Sequence, residues 1–162
     1  MFTRARLEKA AVFFAGAYSY GLCELFVRGR THITMGLLGG LAMLFIHYLG
    51  DRRRGGMPVA VAVIYGAAVI TALEYVAGLI LNLSLGLGIW DYSSLRLNYR
   101  GQICPEYSLK WCLITAVGIV FDELLRRFVL RRDIYLWGRS RVFEQLLKGI
   151  ASVIPAQKGQ IK

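Results

Sequence analysis

Four long apolar stretches, three of which contain an acidic residue, constrain the fold of this chain more than any other feature. They are Ala10–Val27, Met35–Leu49, Pro58–Leu83 and Leu109–Leu125. Most approach the roughly 20 residues with which an α-helix crosses about 30 Å of hydrocarbon. With a mean hydropathy of +0.49, the chain is also too apolar for an ordinary soluble domain. We therefore expect an all-α fold, a polytopic membrane bundle of four transmembrane helices.

Positive charges are distributed unevenly along the chain. Fifteen of the twenty Lys and Arg residues lie in the N-terminus, the 51–57 loop and residues 126–162, which share one side if the chain crosses four times. This bias predicts a protein of the cytoplasmic membrane with both termini in the cytoplasm. It also explains the net charge of +10 by topology and anionic lipid, so that no nucleic-acid partner is expected. The other side receives Arg28, Arg30, Arg96, Arg100 and Lys110.

Two segments outside the apolar stretches differ from them in composition. Residues 84–106 are rich in glycine and aromatic residues, which predicts an ordered outer loop, interfacial or partly re-entrant. Residues 128–162 form a basic tail after the transmembrane domain of residues 1–127. Within the tail, Arg131–Val153 has apolar residues at helical spacing, which predicts an amphipathic helix on the inner leaflet. Docking to a cytoplasmic partner is the alternative for that helix.

Each predicted transmembrane helix has one face of small and polar residues. Such faces let membrane helices approach closely. Gly36-x-x-x-Gly40 has the glycine spacing that is common at these helix contacts. We expect the four faces to converge inside the bundle. Their members are Gly16, Tyr20, Glu24 and Arg28; Gly36, Gly40 and His47; Ala67, Thr71, Glu74, Gly78 and Asn82; and Ser108, Cys112, Thr115, Gly118 and Asp122.

Glu24 and Glu74 are the main functional candidates, because a carboxylate in hydrocarbon is costly. Both are predicted in the outer third of the membrane, where two close carboxylates could share a proton, bind a cation or accept a basic ligand. Equally, each could be neutralised locally, Glu24 by Arg28 and Glu74 by Arg100 or a tyrosine hydroxyl. The complete set of candidate ligand-binding residues is Glu24, Glu74, Tyr20, Trp90, Asp91, Tyr92, Arg100 and Gln102.

A second group of charges lies at the inner boundary. Asp122 and Glu123 precede Arg126 and Arg127 by four residues each, which favours a salt-bridge cluster over a functional site. His47 is predicted near the same boundary, where a hydrogen-bonded structural role is favoured over a proton relay.

The motifs of several enzyme and motor classes are missing from the sequence. It contains no G-x-x-x-x-G-K-[ST], H-E-x-x-H, G-x-S-x-G or paired C-x-x-C. We therefore predict no catalytic residue, no metal site and no cofactor. A disulfide between Cys23 and Cys104 is possible, although packing as free thiols is favoured.

Several short motifs resemble those of a known family. They are Glu74-Tyr75-Val76-Ala77-Gly78, Trp90-Asp91-Tyr92-Ser93, Asn98-x-x-Gly101-Gln102-Ile103-Cys104 and Ser108-x-x-Trp111, preceded by Gly21-x-x-Glu24 and the run Met35–Gly40. Together they resemble the bacterial Putative ABC-transporter type IV family of CmpB-like small integral membrane proteins, over roughly residues 14–127. Pro105-Glu106-Tyr107 departs from the apolar lead into the fourth helix that this family pattern implies.

The resemblance implies a multi-helix membrane protein described as a permease. We therefore expect a transporter or permease component with an intramembrane carboxylate site for a small cation or polar solute. The alternative is a non-transporting membrane scaffold or accessory subunit that binds a partner protein or lipid. Because four helices are few for a complete permease protomer, a homo-oligomer or association with other membrane subunits is expected in either case.

Overall fold

A computed structural model describes residues 4–131, which form an α-helical bundle. Its helices are α1 (Arg4–Arg28), α2 (Ile33–Arg54), α3 (Val59–Gly78) and α4 (Pro105–Phe128), and a π-helical turn, Leu79–Ser84, continues α3. The predicted amphipathic helix of the tail lies outside the described residues, except for its first residue.

Three helical segments are long and apolar enough to cross a membrane. They are Arg4–Arg28, Ile33–Arg54 and Val59–Ser84, with 25, 22 and 26 residues. The expected class, a multi-pass membrane protein, is therefore supported. The sequence predicted four crossings, and α4 is not among these three because charged residues occupy both of its ends.

The fourth helix begins earlier than its apolar stretch suggested. It starts at Pro105 rather than at Leu109, after Cys104 in an extended conformation. Proline suits the first helical turn, where its missing N–H would have no helical partner. Glu106 is favourable near the helix N-terminus and also accepts a 2.8 Å hydrogen bond from Lys110 one turn later. Local capping chemistry therefore outweighs the low hydropathy of this turn.

The helices alternate in direction, and α2 is central. It forms a hairpin with α1 and also contacts α3 and α4, which pack against each other. Within the described part of the chain, α1 packs mainly against α2, and its contacts with α4 are local, such as that of Tyr20 with Trp111. Away from these contacts the two helices are apart, and the cleft described below lies between them.

Small residues permit the close approach of α1 and α2. The backbone at Gly39 faces Tyr20 and the Gly16 carbonyl oxygen, and Gly40 lies against the ring of Phe13. Gly36, by contrast, has open space around it except for the carbonyl oxygen of Ala17. The predicted small face therefore forms a helix contact, with its tightest points at Gly16, Gly39 and Gly40.

Replacing Gly39 by alanine should weaken this contact. A Cβ atom there would lie 2.5 Å from Cβ of Tyr20 and 3.1 Å from the carbonyl oxygen of Gly16, so backbone would have to move. Overpacking costs roughly 1–3 kcal/mol, against a gain of about 0.5–1 kcal/mol from removing a helical glycine. We expect a lower midpoint of thermal unfolding in detergent.

Gly36→Ala is the matched control on the same helix. Its Cβ would meet only the Ala17 carbonyl oxygen, at 3.6 Å, which is ordinary contact. This variant should be as stable as the parent protein or more so. Equal unfolding midpoints for the two alanine variants would contradict the close packing.

Candidate functional site

The family-like motifs meet at one end of the bundle, where α1 and α3 end and α4 begins. We call this the loop end, because residues 85–104 fold over it. The opposite end, where α2 and α4 both end, is called the charged end. The loop end contains all eight candidate ligand-binding residues or the segments that carry them, and the charged end contains the second predicted group of charges.

Asn82 connects the loop to α3. Its side-chain nitrogen donates to the carbonyl oxygen of Trp90 at 2.9 Å and to Oε1 of Gln102 at 2.8 Å. Its side-chain oxygen accepts from the backbone N–H of Ile89 at 2.7 Å. Asn82 lies in the π-helical turn, a feature that is frequent at functional sites. One amide side chain therefore joins three parts of the loop to the bundle.

Trp90 and Gln102 form the buried base of the loop. Trp90 is 5% exposed, and its indole N–H donates to the backbone oxygen of Gln102 at 3.1 Å. The side chain of Gln102 packs directly on the backbone of Gly78, where no Cβ could be accommodated. The glycine of the Glu74–Gly78 motif and the glutamine of the loop motif are therefore two halves of one contact.

Asp91 organises the exposed part of the loop. Its two oxygens accept from the backbone N–H and the hydroxyl of Ser93, at 2.8 and 2.9 Å. Gly101 has φ +69° and passes so close that a Cβ would lie 2.8 Å from Oδ1 of Asp91. Arg100 is exposed, and its backbone oxygen accepts from the side chain of Gln102. Arg100, which the sequence suggested as a partner of Glu74, is therefore not one of its hydrogen-bond partners, which are Tyr92 and Trp111.

Glu74 is buried, with 4% exposure, and each of its oxygens accepts one hydrogen bond. The Tyr92 hydroxyl donates to Oε1 at 2.8 Å, and the Trp111 indole N–H donates to Oε2 at 2.8 Å. Burial raises the pKa of Tyr92, and the nearby Glu74 raises it further, so this hydroxyl retains its proton and serves as donor. The Tyr92 ring also stacks on Tyr107, with 4.2 Å between centroids.

Glu24 has a separate set of partners. It is 5% exposed, and its two oxygens accept from Arg28 and from the Thr31 hydroxyl, each at 2.8 Å. The guanidinium of Arg28 also donates to the carbonyl oxygen of Ile89 at 2.6 Å. Glu24 therefore holds the end of α1, the turn into α2 and the loop together. The local partners considered from the sequence, Arg28 for Glu24 and a tyrosine hydroxyl for Glu74, are those seen in the structure.

A large cleft lies between α1, α4 and the loop. Its volume is about 760 Å³, and we call it the loop cleft. A smaller cavity of about 40 Å³ lies beside Glu74 and shares Tyr20, Met35 and Trp111 with the cleft lining. Five candidate ligand-binding residues line the loop cleft, namely Tyr20, Glu24, Trp90, Asp91 and Tyr92. Glu74 lines the smaller cavity, whereas Arg100 and Gln102 line neither of them.

Sequence reasoning did not select three residues that the structure places at this site. Trp111, a donor to Glu74, lies in a motif that carried the resemblance, so the signal was present. Tyr107 and Lys110 line the cleft because α4 begins at Pro105 and brings them into its first turns. Cys23 also lines the cleft, and both it and the buried Cys104 are free thiols.

At the charged end, Arg126 is fully buried between two helices. It donates to Asp122 on its own helix and to Asp51 on α2, each at 2.6 Å, and also to the backbone oxygen of His47. The second oxygen of Asp122 contacts Nδ1 of His47 at 2.6 Å. The predicted pair of Asp122 with Arg126 is therefore present, and His47 has the hydrogen-bonded position that the sequence favoured.

The predicted pair of Glu123 with Arg127 was wrong. Glu123 is completely buried toward α2, where it bonds to Arg54 at 2.7 Å and lies 3.8 Å from Arg53. Arg127, one turn further along α4, is exposed. The spacing of the charges along α4 predicted a salt-bridge cluster at this position. The partners of Glu123 are on α2, however, because its side chain is buried against that helix.

Fold and site together define a multi-helix membrane protein with a polar cleft at one end. A family model described as Putative ABC-transporter type IV matches residues 11–142, and the chain belongs to this family. The resemblance found in the sequence motifs is thereby confirmed. No curated protein and no solved structure matches the chain.

Removing the Tyr92 hydroxyl should destabilise the loop end. In Tyr92→Phe, one oxygen of the buried Glu74 loses its donor, which costs about 1–3 kcal/mol for a buried acceptor. Thermal unfolding in detergent should show a lower midpoint. Tyr99→Phe is the control, because Tyr99 is exposed and contributes a ring contact to Tyr75. A loss of stability of equal size in both variants would contradict the role given to the Tyr92 hydroxyl.

Removing the charge of Arg126 should destabilise the charged end more strongly. Arg126→Met leaves Asp122 buried without its cation, and breaking a buried ion pair in this way costs roughly 3–5 kcal/mol. Arg127→Met is the neighbouring control, since Arg127 is exposed and should tolerate the change. Chemical unfolding in mixed micelles would measure the difference. Similar stability of the two variants would exclude the network as a stabilising element.

Proposed function

We propose that this chain is a membrane component of a transporter and binds a small polar solute in the loop cleft. The observation that carries the proposal is the cleft itself, which brings five of the residues selected from the sequence around one space of about 760 Å³. Binding sites for small molecules are typically clefts of about 300–1,000 Å³ with a few polar groups on an apolar lining. The loop cleft has this size and composition.

Between the two ligand classes expected from the sequence, the geometry favours a polar solute over a small cation. The negative charge of Glu24 is offset by Arg28 at 2.8 Å. Both oxygens of Glu74 accept hydrogen bonds from neutral side chains, and the residue lines the adjoining small cavity. Glu24 thus forms part of the cleft wall, and the two carboxylates position Arg28, Tyr92 and Trp111 around the solute.

The proposal includes α4 as a fourth membrane crossing. Its 24 residues give a length of about 36 Å, which is enough for the hydrocarbon layer. Its charged residues Asp122, Glu123 and Arg126 are buried against the bundle, so they lower the hydropathy of the helix without facing lipid. The outward face is an apolar stripe at helical spacing, consisting of Leu109, Leu113, Val117, Val120, Leu124 and Phe128.

With four crossings, the loop end faces outward and the arginine-rich turn after α2 faces the cytoplasm. Because the sequence contains no phosphate-binding loop, an energy-coupling subunit would have to be a separate chain. We propose that the protein works with such membrane subunits or as a homo-oligomer, and that it performs no catalysis of its own.

Cys23 provides a test of the cleft with a native residue. In sealed right-side-out vesicles, a membrane-impermeant methanethiosulfonate reagent should modify Cys23 in a Cys104→Ala, Cys112→Ala protein, because Cys23 lines the cleft. A solute that occupies the cleft should slow this modification at least several-fold. Mass spectrometry of the purified protein would measure the extent and rate.

Leu22 provides the matched control, since it is the neighbouring residue and is 55% exposed on the outer surface of α1. In the Cys23→Ser background, Leu22→Cys should face hydrocarbon and react slowly. A Cys23 that does not react, or that reacts no faster than the Leu22 control, would remove the cleft proposal and favour the scaffold alternative.

A further inference from the structure

The cationic residues at the loop end are concentrated in the loop cleft. Five Lys and Arg residues belong to this end of the bundle, and three of them, Arg28, Arg30 and Lys110, line the cleft. The lining contains two acidic residues, Glu24 and Asp91. The formal charge of the lining is therefore three positive against two negative, a net excess of one positive charge.

The two acidic residues already have donors for all of their oxygens. Glu24 accepts from Arg28 and Thr31, and Asp91 accepts twice from Ser93. Each oxygen therefore already has one donor, and the charge of Glu24 is offset by Arg28. The carboxylates are thus less available to a positively charged ligand than unpartnered carboxylates would be.

The available groups in the cleft are donors. Within residues 4–131, Arg30 makes no hydrogen bond or ion pair, and it also lines an adjoining pocket of about 170 Å³ with Arg28 and His32. Lys110 pairs with Glu106, which is exposed and absent from the cleft lining, and exposed pairs of this kind contribute little. Arg30 from the α1–α2 turn and Lys110 from α4 thus provide cations from opposite sides of one space.

The rest of the lining is rich in aromatic residues. Rings come from α1, the loop and α4, and they belong to Tyr20, Trp90, Tyr92, Tyr107 and Trp111. Because α1 packs mainly against α2 in the described structure, helix packing leaves this space between α1 and α4. A ligand could therefore place a charged group between the cations and an apolar body along the aromatic side.

We propose that the loop cleft binds a phosphate-bearing ligand, with Arg30 and Lys110 as the recognising cations. Arg provides several donors in a planar arrangement that matches phosphate oxygens, and Lys adds a compact charge. This inference rests on the proposed function and specifies the class of its ligand. The phosphate group can come from two sources, the headgroup of an anionic phospholipid or a free phosphate compound.

Binding can be measured with the purified full-length protein in a neutral detergent. The probes are inorganic phosphate and a short-chain phosphatidylglycerol, each titrated by isothermal calorimetry. We expect Arg30→Gln and Lys110→Gln each to weaken binding of the effective probe about tenfold, the size of one lost charge-assisted contact. Binding of the lipid without competition from inorganic phosphate would identify the headgroup as the source, whereas tight binding of inorganic phosphate alone would identify a free phosphate compound.

Arg96→Gln is the control for general electrostatic attraction. Arg96 is an exposed arginine of the same loop that is absent from the cleft lining, and its loss removes the same charge. It should leave binding unchanged. Binding of neither probe, or an equal effect of Arg96→Gln, would overturn the phosphate proposal. If Cys23 were nevertheless accessible and protected by another solute, the cleft itself would remain as the proposed site.

Discussion

The buried carboxylate of Glu74 is the interaction on which the loop end depends. A carboxyl group in an apolar interior is tolerated when its oxygens are hydrogen-bonded, and here the two donors come from different segments. Tyr92 reaches it from the loop and Trp111 from α4. Keeping both bonds fixes the loop and α4 relative to α3, and the same two rings then form part of the cleft wall. Glu74 is not part of the cleft lining, but by holding Tyr92 and Trp111 in place it determines the shape of the cleft.

The loop motifs can be understood from this arrangement. Trp90, Gln102 and Asn82 bind one another beneath the loop, while Gly78 leaves space for the Gln102 side chain. These residues occur in three separate parts of the sequence, and each contact joins two of those parts. These hydrogen bonds give partners to backbone groups of the irregular loop. The contacts that hold the loop over the proposed solute site are therefore made within the protein and do not need the solute.

The sequence predicted the membrane class, the helices and five residues that line the loop cleft, because hydropathy and short motifs are local properties. The partners of the charged residues were harder to predict. One residue along a helix turns the side chain by about 100°, so the direction of Glu123 toward α2 depended on a rotation that spacing alone does not determine. Likewise, the separation of α1 from α4, and with it the loop cleft, results from packing around α2. Arg100 was selected for its charge, yet its left-handed backbone, with φ +54°, places it on the exposed edge of the loop.

The network around Arg126 has a consequence for how the protein is made. The inward face of α4 carries Asp122, Glu123 and Arg126, and their partners Asp51 and Arg54 are on α2. Such a face is costly in lipid by itself but becomes acceptable once α2 is beside it. Because α2 precedes α4 in the chain, its charged end is synthesised first. In the proposed four-crossing topology, α2 is therefore already available as the partner of this face when α4 enters the membrane.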